Sequence, residues 1–373
     1  MGRFAFMIAY YGASAVYQGY IALFYGGIGL NKSQIGVVNA AAAVSALLVQ
    51  PVWGALGDRV KKRTRLLFLL CVLAAVVLPA CLLGRWFLWQ IAASFAFYAF
   101  FSALLPLGDA VILSSDNNRS YGKARLAGGL GYAVFSLLGG WLVGRMDAKF
   151  AIWAVSGLLT CAAASALFLR DVPQGKKGKS SIFLALKDKN MRALLLFMLP
   201  SQIAMGVYYG FYSLYFMELQ GASRFLLGTA NLIAALAEIP YLIFSDRLFE
   251  KFGAGRVMMV STAAMCLRFL LLGVFSNRWI ALFGQLLNGC GYIAIGVSMA
   301  KHLAKYLPEE NAAGGQALIS MMFYGAARLL GSLLGGFISE KSGIATAFLF
   351  VSALCGTCLV VFFVYTSRRR RSI

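Results

Sequence analysis

The sequence predicts an all-α membrane protein of twelve transmembrane helices in two six-helix repeats, with the N- and C-termini cytoplasmic. Three observations predict it: the apolar composition, basic loops that alternate in richness, and one polar stretch at mid-chain flanked by halves that echo each other. Of 373 residues, 61% are hydrophobic and 13% are charged. A soluble domain averages about 45–50% apolar and 25% charged, so this is membrane composition. A spanning helix needs roughly 20 mainly apolar residues, and the chain has room for about twelve with short loops.

The spans read as about 4–28, 34–57, 65–84, 87–113, 123–145 and 150–170, then 192–217, 225–249, 254–276, 279–300, 312–338 and 344–367. The N-terminal run has no short apolar region with a cleavage signal and reads as an uncleaved first helix. A formal net charge of +21 suggests nucleic acid in a soluble protein, but the positions of the bases exclude that reading here. Lys32, Arg85, Arg145, Lys149, Arg224, Arg278 and Lys341 fall in the connections of one side. The other side is far richer. It holds Arg59, Lys61, Lys62, Arg63 and Arg65 after span 2, a dense group between spans 6 and 7, and the arginines at 368–371. The positive-inside rule places that side, with both termini, in the cytoplasm, which requires an even number of spans.

The polar connection contains Val172-Pro173-Gln174-Gly175-Lys176-Lys177-Gly178-Lys179 and divides the chain into residues 1–170, a linker at 171–191, residues 192–367 and a basic tail at 368–373. Ser136-Leu137-Leu138-Gly139-Gly140 in span 5 recurs as Ser332-Leu333-Leu334-Gly335-Gly336 in span 11, and Asp58-Arg59 after span 2 recurs as Asp246-Arg247 after span 8. Both echoes are spaced by about half the chain, as a duplicated six-helix unit requires. Small residues cluster in spans 5 and 11, which suits close helix packing where lipid gives no hydrophobic drive between helices. Pro51, Pro79, Pro106, Pro200 and Pro240 lie in spans, where they kink helices. The seven cysteines all lie in apolar segments and read as small buried hydrophobes, the C-x-x-C of Cys355 and Cys358 included.

Five ionisable residues lie within the spans: Asp109, Arg125, Glu238, Arg268 and Arg328. Each costs roughly 2.5–3.5 kcal/mol if left facing lipid, so pairing or a water-filled cavity is expected. The cavity reading is preferred, because intramembrane charges mark solute and ion pathways. Ion pairs that only hold the bundle together are the alternative. If Asp109 and Glu238 each neutralise one arginine, a third guanidinium is left for the solute, and its planar fork suits a carboxylate. An organic acid is therefore slightly favoured over a neutral sugar or nucleoside. Tyr132, Tyr209 and Tyr324 are expected to line the cavity, with Asn231 and Asn288 as hydrogen-bonding partners. Glu238 is the expected proton carrier and Asp109 the second candidate, since burial and a nearby arginine act on a carboxyl in opposite directions. The lone His302 reads as an interfacial residue.

Gly54-Ala55-Leu56-Gly57-Asp58-Arg59-Val60-Lys61-Lys62-Arg63 resembles the signature loop of the major facilitator superfamily, G-x-x-x-D-R-x-G-R-R, with Lys61 where Gly usually stands. The resemblance implies a gate latch made by Gly54, Asp58, Arg59 and Arg63, repeated by Asp246 and Arg247; the plain alternative is a set of inside-facing charges. Pro106-Leu107-Gly108-Asp109-Ala110, Tyr121 to Tyr132, Tyr208-Tyr209-Gly210-Phe211, Ala237-Glu238-Ile239-Pro240 and Leu267-Arg268-Phe269 are similar to a subgroup holding lactose permease, nucleoside–proton symporters and phenylpropionate permeases. They are most like the phenylpropionate branch. In lactose permease the residues matching Asp109 and Arg125 bind sugar hydroxyls and the aromatic matching Tyr132 stacks on the ring. Its helix 10 histidine and glutamate fall at Asn288 and Gly291, so that proton site does not carry over.

The resemblance implies a secondary transporter, with proton-coupled symport of a small organic solute by alternating access as the leading expectation. A sugar or nucleoside symporter and an uncoupled facilitator or exporter of the same fold are the alternatives. An intramembrane enzyme is disfavoured by the single histidine and the lack of H-E-x-x-H or G-x-S-x-G, and an ATP-driven pump by the lack of G-x-x-x-x-G-K-[ST]. The implied partners are a small-molecule solute and the lipid bilayer, without nucleic acid and with a monomer as the acting unit. No cofactor or metal is expected, protons being the coupling ion, and the location is the cell (plasma or inner) membrane.

Overall fold

A computed structural model gives the protein's structure and describes residues 1–60, 62–115, 118–171, 189–293, 319 and 321–371. The helices of its first part are α1 (Gly2–Gly27), α2 (Lys32–Arg59), α3 (Arg63–Val77), α4 (Phe87–Ser115), α5 (Asn118–Arg145) and α6 (Lys149–Ala166). Those of its second part are α7 (Lys189–Glu218), α8 (Arg224–Phe252), α9 (Ala254–Val274), α10 (Arg278–Phe283), α11 (Arg328–Ser342) and α12 (Ile344–Arg371). Among the described residues, eight helices are long and apolar enough to cross a membrane. The centre of the 171–191 linker, His302 and the expected span ends at 294–300 and 312–318 lie outside the described residues.

The helix starts follow from local polar chemistry. Asn31 and Gln34 form a reciprocal capping box at α2, with Gln34 N donating to Asn31 Oδ1 at 2.8 Å and Asn31 N donating to Gln34 Oε1 at 3.0 Å. The Ser223 hydroxyl accepts from Leu226 N to open α8, and Asn277 accepts from Trp279 N to open α10. Asp171 accepts from the backbone and hydroxyl of Thr64, tying the start of α3 to the end of α6.

Four elements differ from the sequence expectation. Span 3 ends as an α-helix at Val77 and tightens into a 3₁₀ turn over Leu78–Leu82. Pro79 lacks a donor and its ring clashes with the preceding turn. The carbonyls freed there are taken by side chains: fully buried Gln90 donates to Cys81 O and Gly84 O, and Trp89 Nε1 donates to Ala80 O. Span 10 is not one straight helix, because α10 passes through a 3₁₀ turn at Gly284–Leu286 and a π-helical turn at Gly289–Ile293. Gly284, Gly289 and Gly291 lower its helix propensity. A second π-helical turn, Met321–Ala327, leads into α11. The last helix runs to Arg371, past the expected end at 367, since a run of arginines favours the helix and its C-terminal dipole.

α1 packs along α5 and α6, α2 along α4, and α3 on α4 and α6. In the second part α7 packs on α11 and α12, and α9 on α12. Contacts between the parts run α5 to α8, α2 to α11 and α1 to α7. The first two crossings are made by glycine. A Cβ on Gly36 would sit 2.5 Å from Ser332 O, and one on Gly140 would sit 2.5 Å from Arg224 O, so only a bare Cα lets these backbones touch. Both crossings lie toward the end of the molecule that carries the α1–α2, α7–α8 and α11–α12 turns, here termed the far mouth. The outward faces carry apolar side chains such as Val76, Val260 and Val360, each more than 60% exposed, as a lipid-facing surface requires.

Candidate substrate site

The charged residues of the second part are joined into a chain across three helices. Arg268 of α9 is fully buried, with its guanidinium centred 4.2 Å from the Tyr208 ring. It donates to Asn288 Oδ1 at 2.6 Å and also to Gln285 Oε1. Tyr208 OH donates to the same Gln285 oxygen at 3.0 Å. Asn288 Nδ2 in turn donates to Glu238 Oε1 of α8 at 2.9 Å. Two amide oxygens and an aromatic face thus replace most of the water lost by the guanidinium, the buried Nε–H being left without an acceptor among the described residues. Glu238 meets Arg268 through the Asn288 amide, where the ion-pair alternative would have a direct contact.

The first part holds a separate pair. Arg125 of α5 donates to Asp109 Oδ2 of α4 at 2.8 Å and to Tyr121 OH at 2.8 Å, with Tyr11 on its other side. The Arg125 side chain is 41% exposed, so this pair is half-solvated.

Between the two parts lies a small cavity of about 20 Å³, room for roughly one water. Gln18 and Gly19 of α1 and Tyr132 of α5 face Tyr208, Tyr209, Tyr212 and Ser213 of α7 and Asn231 of α8 across it. The tyrosines supply flat amphipathic walls; Gln18, Ser213 and Asn231 supply neutral donors and acceptors. Arg328 of α11 lies over the Tyr209 ring at 4.8 Å and within electrostatic reach of Tyr98 and Tyr132 in the first part. Tyr208 links the two layers, since it lines the cavity and carries Arg268 behind it.

Of the residues singled out in the sequence, Tyr132, Tyr209 and Asn231 line this cavity and Arg328 adjoins it. Glu238, Asn288 and Arg268 form the chain behind Tyr208. Asp109 and Arg125 pair with each other in the first part. Glu238 and Arg268 therefore share one network and Asp109 and Arg125 another, while Arg328 stacks on Tyr209. The Tyr324 side chain lies outside the described residues, as do those of Asp58 and Asp246. Of the remaining gate residues, Gly54, Arg59 and Arg247 are exposed, and Arg63 Nε donates to Gly57 O at 2.7 Å. Sequence reading passed over Gln18, Ser213 and Gln285. Gln18 and Gln285 carry the same signal that marked Asn231, a lone amide within an apolar span.

Comparison with known proteins agrees with this architecture. The model of the MFS_1 like family matches residues 4–350. The chain is 29% identical to the maltose permease of Geobacillus stearothermophilus, covering 92% of this chain and 88% of that protein. It is 26% identical to a probable 3-phenylpropionic acid transporter of Escherichia coli, over 92% and 91% of the two chains. The solved structure of the nucleoside transporter NupG superposes with a TM-score of 0.84 at 14% identity, covering 97% of this chain and 98% of that one, which shows a shared fold. An all-helical bundle of this shape, matched by a family model over nearly its whole length, is that of a membrane transporter of small solutes, and the chain belongs to the MFS_1 like family of the major facilitator superfamily.

Proposed function

We propose that the protein is a proton-coupled symporter that takes up a small organic acid by alternating access. In this reading two six-helix repeats, residues 1–170 and 192–367, rock about the central cavity as a monomer in the cell membrane, twelve spans in all with cytoplasmic termini. The observation that carries it is the cavity itself, built from α1 and α5 on one side and α7 and α8 on the other, with Arg328 stacked on its Tyr209 wall. A wall shared by the two parts is what rocking exposes first to one face and then to the other. Tyr132 and Tyr209 would take the flat part of the solute and Arg328 its carboxylate. Glu238 would carry the proton, reporting to the cavity through Asn288, Arg268 and Tyr208.

A second reading, a sugar or nucleoside symporter, is favoured by the neutral wall of Gln18, Ser213 and Asn231. Uptake by proteoliposomes separates the two. Under an imposed inward proton gradient, aromatic acids should accumulate and Glu238→Gln should abolish accumulation while leaving solute exchange intact. Accumulation that ignores the gradient removes proton coupling, and selective uptake of sugars replaces the acid reading with the second one.

A further inference from the structure

The far mouth carries polar contacts that neither the signature loops nor the cavity account for. Lys32, the first residue of α2, is held by two carboxylates from two helices of the other part. Its Nζ lies 2.8 Å from Glu218 Oε1 at the end of α7, and its backbone N donates to Glu340 Oε2 near the end of α11 at 2.8 Å. Two of the 13 acidic residues in this chain thus converge on one lysine. The backbone N–H of Lys32 lies in the first turn of α2 and has no acceptor within its own helix, so the Glu340 carboxylate satisfies it and complements the positive end of the helix. A second contact bridges the same mouth, where Arg224 of α8 donates to Val143 O of α5 at 2.8 Å.

We propose that Lys32, Glu218 and Glu340 form an electrostatic clamp that holds the far mouth closed. α2 reaches α11 at the Gly36 crossing, one helical turn from Lys32. Parting the two halves here separates Lys32 from α7 and α11 together, so both contacts are lost in one motion and exist in one state only. An interaction present in one of two states shifts their ratio by its full worth. The Lys32 and Glu218 side chains are 30% and 51% exposed, so each contact is weak and open to screening. The two together are worth roughly a two- to ten-fold change in the closed-to-open ratio.

The test is hydrogen exchange on the full chain in nanodiscs, without solute, following the first turns of α2 and the last turns of α11. At low salt the double variant Glu218→Gln with Glu340→Gln should raise exchange there two- to ten-fold. Lys32→Glu should raise it further, and adding Glu218→Lys should bring it part of the way back. Raising the salt toward 1 M, where the Debye length is about 3 Å, should open the unmodified protein and leave the double variant unchanged. Equal exchange in all forms, or an equal salt response with and without the carboxylates, overturns the clamp. Should the variants fail to insert, the salt titration of the unmodified chain decides alone, and a flat response overturns the clamp. The clamp rests on the reading that the two parts separate at this mouth. It does not need a transported solute, so failure to find a substrate leaves this readout intact.

Discussion

Arg268 and Gln18 show how differently polar side chains act inside one bundle. Arg268 has exchanged its water for Gln285, Asn288 and the Tyr208 face, all fixed by the protein. Removing it strands the buried Asn288 Oδ1, leaves Gln285 Oε1 with Tyr208 OH alone, and opens a void. Arg268→Ala should therefore cost about 3–5 kcal/mol, seen as a markedly lower thermal midpoint in detergent whether or not solute is present. Gln18 faces the cavity, and none of the described residues shares a hydrogen bond with its side chain. Gln18→Leu should leave the thermal midpoint almost unchanged and raise the KM for uptake about ten-fold, the worth of one hydrogen bond to a solute. The opposite pattern in either variant would reverse the assignment of inner support and cavity wall.

Among the elements, the crossing of α5 over α8 sets how closely the two parts approach. A Cβ at Gly140 meets the Arg224 carbonyl at 2.5 Å and Gly228 Cα at 3.1 Å, whereas at Gly144, one turn away, its nearest neighbour is Arg224 Cβ at 3.8 Å. Gly140→Ala should push the helices apart at a cost of about 1–3 kcal/mol to the closed far mouth and reduce uptake accordingly. Gly144→Ala should transport normally. Surface abundance measured beside uptake separates this from loss of folding. The breaks in α3 and α10 belong to the same scale. Both arise at proline or clustered glycine, and side chains donate to backbone carbonyls beside the breaks, Gln90 and Trp89 for α3 being the clearest case.

For the whole molecule, the proposed alternating-access mechanism would couple solute to conformation, because the binding wall is shared by the two parts. In the proposed mechanism this one-water cavity widens as the parts move, and a solute held between α1 and α5 and α7 and α8 binds the folded bundle and not the unfolded chain. At a concentration 100 times Kd it should stabilise the protein by about 2.7 kcal/mol, a rise of a few degrees in thermal midpoint. A screen of aromatic acids, sugars and nucleosides on the purified protein should give one responsive class. A shift seen equally with all three would mean that the cavity does not discriminate.

The sequence by itself determined the helical, multi-pass character of the fold, the approximate place of most described helices and the family, because these rest on composition, period and short motifs that each segment carries alone. It also marked Tyr132, Tyr209, Asn231 and Arg328, since a polar or aromatic group inside an apolar span is conspicuous wherever it folds. Only the tertiary structure decided that Asp109 and Arg125 pair apart from the cavity, that Asn288 stands between Arg268 and Glu238, and that Lys32 meets Glu218 and Glu340. These partners come from different helices, and which faces meet depends on helix rotation and on glycine contacts between distant segments. A one-dimensional pattern records that a charge must be satisfied; the packing of the bundle chooses what satisfies it.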